Sequence, residues 1–230
     1  MSRHHTLSRG ERAAYPYAEV STYVKVAPAT LRSWVAGRNY PTTSGARRFS
    51  PLISAADPKK KLLSFNNLVE AHVLRALRST HGTSISAIRT ALRYAEAELG
   101  IERLLLSREL CTDKRDLFLD RYGELINLSR SGQFAMRAVL QQHLERIEWD
   151  SAIYPVRLYP FVPGEKPQTS RLIAIDPEIG FGRPVVRARG VSTRVIVERI
   201  DAGEELADVA ADYDLDISAV EEAVLYERAA

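Results

Sequence analysis

The sequence predicts an α+β protein that is mainly helical, and three observations carry that reading. Apolar residues recur at three- and four-residue spacing at both ends of the chain. Short apolar runs separated by Pro and Gly occupy the middle and read as strands. Two short helical segments near the start lead into a basic, turn-rich stretch. The expected organisation is an N-terminal winged helix-turn-helix over 1–100, a small α+β middle region over 101–174 and a C-terminal three-helix domain over 175–230.

Each element has a local reason. Residues 1–14 are polar. Tyr17, Val20 and Val24 have helical spacing, and a short break at Lys25–Ala27 follows. Pro28 suits the first turn of a second helix, where its missing N–H costs nothing. Leu31, Trp34 and Val35 give that helix one buried face, and Gly37 ends it. Two helices joined by a three-residue turn make a helix-turn-helix pattern. Residues 37–61 are rich in turn formers and Arg, and fit a wing. Phe65, Leu68, Val69, His72, Val73, Ala76 and Leu77 form one stripe, with Ser64 placed to cap it. Ile85, Ile88, Leu92, Ala95 and Leu99 form another. In the middle, Leu104–Ser107 reads as a strand, 117–128 as a hairpin and Gln133–Glu148 as a helix. Val156–Pro160 and Arg171–Ile175 read as strands around a Pro/Gly loop. A short strand near Val185 precedes helices at about Ser192–Ala202, Leu206–Tyr213 and Ser218–Glu227, with Ser192 and Ser218 as N-cap candidates.

Charge divides the chain more sharply than composition does. The net charge is +3. Residues 1–61 carry 11 Lys+Arg against 3 Asp+Glu, whereas residues 200–230 carry 1 against 10. A basic head fits a polyanion, because phosphate attraction supplies most non-specific nucleic-acid affinity. An acidic tail repels DNA and fits a basic protein surface. No apolar run approaches the ~20 residues that cross a bilayer, and residues 1–12 lack the apolar segment of a signal peptide. A single cysteine, Cys111, fits a reducing compartment and excludes a multi-cysteine metal site. The expectation is a cytoplasmic protein with no membrane partner.

The basic head supplies candidate DNA contacts. Thr30, Arg32 and Ser33 lie off the apolar face of the second helix, where such a helix enters the major groove. Arg38, Arg47, Arg48, Lys59, Lys60 and Lys61 are placed to pair with phosphates and set register. Trp34 shares the face of Leu31 and Val35 and belongs to the core.

Two stretches resemble known families. The string Asp-Pro-Glu-Ile-Gly-Phe-Gly-Arg-Pro-Val-Val-Arg from Asp176, with Ala202-Gly203 and Asp212-Tyr213 further on, resembles a small bacterial antitoxin domain that partners PIN-like ribonuclease toxins. That resemblance spans Ile175 to Arg228. The family's Arg-Gly-Thr-Arg step stands here as Arg187-Ala188-Arg189-Gly190-Val191, so the match to the family pattern is firmer at Arg187 than at Arg189. The first 100 residues are similar to MerR-type DNA-binding domains, without the long dimerisation helix of that group. Together the two resemble a long VapB-type antitoxin. They imply a homodimer that binds operator DNA and neutralises a PIN-like toxin protein. For toxin binding or dimerisation the implied residues are Arg183, Arg187, Arg189 and Arg194, with Glu204, Glu205, Asp208, Asp212 and Tyr213. The four arginines equally suit DNA, and Arg187 equally suits a structural ion pair.

Catalytic and metal chemistry find no footing. Asp113, Asp116 and Asp120 each have Lys or Arg neighbours, and strand alternation keeps them apart. His72 sits on an apolar face, and Gly180-Phe181-Gly182 is followed by Pro184 where a phosphate loop needs a helix. No enzyme, cofactor or metal is expected. The alternative function is a ligand-sensing MerR-like transcription regulator without a toxin partner.

Overall fold

A computed structural model describes residues 8–42, 45–79, 85–100, 103–106, 130–151, 154–162 and 170–229. The fold mixes helices with small antiparallel sheets, as the α+β expectation requires. Helix α1 (Tyr17–Tyr23) and helix α2 (Pro28–Ala36) precede a hairpin of β2 (Arg38–Thr42) and β3 (Gly45–Phe49), paired from Arg38 opposite Phe49 to Thr42 opposite Gly45. The chain then returns to α2, where Leu52 and Ile53 donate their N–H groups to Trp34 O. Strand β1 (Tyr15–Pro16) pairs with β4 (Leu62–Leu63) and closes the head.

Helix α3 (Phe65–Ser79) is the central post, with the residues from Phe65 to Leu74 all buried. Its start is capped reciprocally. Ser64 Oγ accepts from Asn67 N at 3.2 Å, and Asn67 Oδ1 accepts from Ser64 N at 3.1 Å. Asn67 also takes Ala56 N and gives to Ser54 O, so one side chain ties the loop after the hairpin to α3. Helices α4 (Ile85–Leu99) and α5 (Arg130–Leu144) follow, and α5 packs on α3. Strands β5 (Ile147–Trp149) and β6 (Pro155–Leu158) form a second hairpin. A three-stranded sheet of β7 (Ile173–Ala174), β8 (Val185–Val186) and β9 (Val191–Ser192) then carries helices α6 (Thr193–Asp201), α7 (Leu206–Asp212) and α8 (Ile217–Arg228).

Several local expectations are corrected. Leu104–Leu106 is a 3-10 turn rather than a strand, because Leu104 and Leu105 are both buried and a strand would turn one outward. Helix α5 stops at Leu144 rather than Glu148, and Arg146 O instead accepts from Tyr159 N at 2.8 Å. Asp216, not Ser218, occupies the N-cap position of α8, and Ser192 occupies that of α6 without a capping bond. The second strand of the tail, β9, had no period long enough to read. The hairpin expected at 117–128 lies outside the described residues, as do Asp113, Asp116 and Asp120.

Two apolar clusters form. The first runs from Tyr15 through Leu31, Trp34, α3 and α4 to Leu144, Leu158 and Ile175. The second joins Val162 and Ile173 to Val186, Ile196, Val209, Val220 and Tyr226. Between them sits Arg146, 2% exposed. Its guanidinium donates to Tyr159 O at 2.8 Å, Pro160 O at 2.6 Å and Ser170 O at 2.6 Å, and lies over the Phe161 ring. His72 and His143 pack against the same ring, and His72 Nε2 meets His143 O at 3.0 Å. His72 is thus a satisfied core residue, as its apolar setting predicts.

Two predictions follow from this junction. Arg146→Ala strands three carbonyls away from water and should lower unfolding free energy by about 3–5 kcal/mol in a urea titration, with Arg146→Lys between. A loss under about 1 kcal/mol would show that other donors reach those carbonyls. Burial also holds His143 down to about 4 and His72 well below its ordinary range. The folded chain keeps both neutral while the unfolded chain protonates below about 6.5, so stability is full above that pH and falls as pH drops toward about 4. His143 alone should contribute roughly 3 kcal/mol to that fall. The wild-type urea midpoint should therefore drop more between about pH 7 and about pH 4.5 than that of His143→Gln. Equal drops would contradict a neutral buried His143.

Candidate functional site

The DNA candidates divide between α2, the hairpin and a separate turn. Thr30 and Ser33 are half-buried on α2, and Ser33 Oγ donates to Thr30 O at 2.8 Å. Arg32 and Arg38 are exposed, the first on α2 and the second opening β2. Arg47 and Arg48 lie in β3, opposite Tyr40 and Asn39. Lys59, Lys60 and Lys61 are exposed in a turn closed by mutual backbone bonds of Asp57 and Leu62. Asp57 Oδ1 accepts from Lys60 N, and the Lys60 ammonium stands 4.0 Å from that carboxylate. Trp34, 1% exposed, is core as expected.

The tail candidates do not converge on one point. Arg183 pairs with Glu19 at 3.4 Å, Arg189 with Asp214, and Arg194 with Glu198 at 2.9 Å. Arg187 lies 6.0 Å above the Tyr159 ring, and its N–H donates to Leu172 O. Glu204, Asp212 and Tyr213 are brought together, and the residue that does so is Arg199. Its guanidinium bonds Glu204 and Asp212, the latter at 2.6 Å, and faces the Tyr213 ring at 5.2 Å. Hydrogen bonding from Arg199 holds the Glu204 carboxyl below its usual range, and the same bonds raise Arg199. Glu205 stands at the N-cap of α7 and Asp208 in its first turn, where the helix dipole favours negative charge.

The tail also grips the first helix pair. Lys25, in the turn between α1 and α2, donates to Tyr226 O at 2.7 Å and lies 4.2 Å over the Tyr226 ring. Burial lowers the Lys25 ammonium and raises the Tyr226 hydroxyl. Tyr226 Oη donates to Tyr23 O, and Arg9 pairs with Glu178 at 2.6 Å. Phe181 stands 90% exposed beside this seam. Gly180, Phe181 and Gly182 all have left-handed backbones, with φ of 56°, 56° and 76°. A Cβ on Gly182 would come within 2.0 Å of the Tyr15 hydroxyl, so the close approach of head and tail requires glycine there.

Residues 173–226 match the family described as "Protein of unknown function (DUF433)". The chain is 29% identical over 218 residues to a Mycobacterium tuberculosis protein named "Putative antitoxin VapB45", covering 86% of this chain and 87% of that one. A second protein of that organism, "Uncharacterized protein Rv2308", is 27% identical over 225 residues, 95% of this chain and 91% of that one. The crystal structure of Rv2018 from Mycobacterium tuberculosis has the same fold, with a TM-score of 0.67 at 23% identity over 93% of this chain and 98% of that chain.

Sequence reading missed Arg199, Lys25, Tyr226 and Phe181. Arg199 stands five residues before Glu204, a spacing that hints at a pair, but nothing local joins it to Asp212. Lys25 and Tyr226 are 201 residues apart. Gly182→Ala should cost about 2–3 kcal/mol in chemical denaturation, since a new methyl must displace a buried tyrosine in a left-handed backbone. A neutral result would show that the seam opens without cost.

Proposed function

We propose that this chain is the antitoxin of a type II toxin–antitoxin pair, binding a PIN-like ribonuclease toxin through its tail and operator DNA through its head. The observation that carries the reading is the near-full-length similarity to the protein named as an antitoxin. The charge division supports it. Helices α1 and α2 followed by the β2–β3 hairpin have the order of a winged helix-turn-helix, and Arg32 and Arg38 stand exposed on it. The tail's ten acidic residues over 200–230 disfavour phosphate and favour a basic protein. The described residues contain no helix long and apolar enough to cross a membrane.

Co-expression with the product of the neighbouring open reading frame should yield a complex that co-purifies and lacks ribonuclease activity. A complex with full activity, or no complex, overturns the toxin-binding half. For the DNA half, Arg32→Ala should weaken binding to the promoter fragment about tenfold or more in fluorescence anisotropy. Replacing Lys59, Lys60 and Lys61 by Gln should lower the salt slope by about one per lost phosphate contact. Unchanged affinity and slope in both variants place DNA elsewhere.

A second reading has its own observation. A cavity of about 400 Å³ is lined by Leu52, Ser54, Glu70, Leu92, Glu96 and Arg103, with the Leu104–Leu105 turn. Glu70 is buried there and raised by desolvation, with Asn67 and Arg103 as partners. Such a cavity fits a small polar ligand and a MerR-like sensor. A thermal-shift panel of metabolites separates the readings, since an antitoxin without a sensor role gives a flat response.

A further inference from the structure

Helix α8 is apolar on two sides. Its inner side, with Ala219, Val220, Ala223 and Tyr226, is buried in the second cluster and holds the turn of the first helix pair. On its outer side Ile217 is 49% and Leu225 52% exposed, with the exposed Glu221 midway between them. Positions four apart advance only about 40° around a helix, so the three form one row, and its ends are about 12 Å apart. Half-buried Val224 lies seven residues from Ile217 and widens the row. A helix with apolar residues on both sides is normally covered on both.

The charges around this row select what covers it. Among the described residues Arg199, Arg189 and Arg228 pair with Glu204, Asp212, Asp214 and Asp201. Glu205, Asp208, Asp216 and Glu221 take part in no ion pair there. Helix N-termini account for the placement of the first three. They do not account for Glu221, which sits mid-helix between two exposed apolar side chains. DNA and the anionic lipid of a membrane surface are both repelled by such a face. A second copy would bring like charges together. A basic protein groove meets both features at once.

We propose that the outer row of α8, Ile217, Glu221 and Leu225, docks in a groove on the partner protein that is lined by Lys or Arg and has two apolar pockets about 12 Å apart. A basic groove on a ribonuclease is where RNA phosphate runs, so this acidic helix occupies the substrate path. The inference rests on the toxin-binding reading and names its surface.

The test uses full-length chains and the neighbouring toxin in a binding titration. If the wild-type chain does not bind, the toxin-binding reading fails and this inference with it. If the wild type binds, the double variant Ile217→Ser, Leu225→Ser should lose about thirtyfold or more in affinity while its melting temperature and DNA affinity hold. Glu221→Gln should weaken binding at low salt and flatten its salt dependence. Val195→Ser, at an exposed position on α6, should bind as wild type. Wild-type affinity in the double variant overturns the inference and leaves the function standing. So does a double variant that binds toxin normally but shifts the sedimentation of the free protein, because the row would then join two copies.

Discussion

The junction at Arg146 is the interaction on which the rest depends. A guanidinium has five donors in a fixed plane, and here it meets the carbonyls of Tyr159 and Pro160 on one segment and of Ser170 on another, none of them in a strand. Those carbonyls would be costly inside a protein without a donor. With one, the Tyr159–Phe161 segment turns its ring toward His72 and His143. The neighbouring Leu158 and Ile175 then exchange backbone bonds at 2.9 and 2.8 Å. That exchange closes the end of the first cluster at Ile175, and the adjoining strand carries Ile173 into the second, so a single buried cation sets where the tail begins.

From that anchor the tail folds back onto the first helices. The seam combines a half-buried Lys25–Tyr226 contact with outer ion pairs at Arg183–Glu19 and Arg9–Glu178. Exposed pairs of this kind stabilise little. The close packing of Tyr15 on Gly182 and the desolvated ammonium of Lys25 matter more, because both lose their geometry if the surfaces part. The basic head and acidic tail are therefore one mechanical unit. Helix α8 presents one side to the helix pair and the other to solvent, so whatever meets its outer side is a single helix diameter from the turn between α1 and α2.

Net charge hides how the tail spends its acids. Arg199 gathers two carboxylates and a tyrosine into a structural knot that joins the end of α6 to α7. Other acids sit at helix starts. Among the described residues, the acids outside these ion pairs and helix starts are a subset that the bare count does not reveal.

Helix existence was legible from sequence because helical period is local: α1 to α4 and the tail helices stand within a residue or two of expectation. The basic, turn-rich stretch after α2 was legible from composition, whereas its pairing as the β2–β3 hairpin was not. The strand–helix error at Leu104–Leu106 and the overlong α5 arose where burial on neighbouring elements outweighed local pattern. Charge division along the chain, the core role of Trp34 and His72 and the Ser64 cap needed only the residues and their spacing. Which arginines are consumed, which acids are free, and that Lys25 meets Tyr226 needed the folded chain. Those contacts join residues far apart in sequence, and their energies arise from desolvation that exists only once the two clusters have closed on each other.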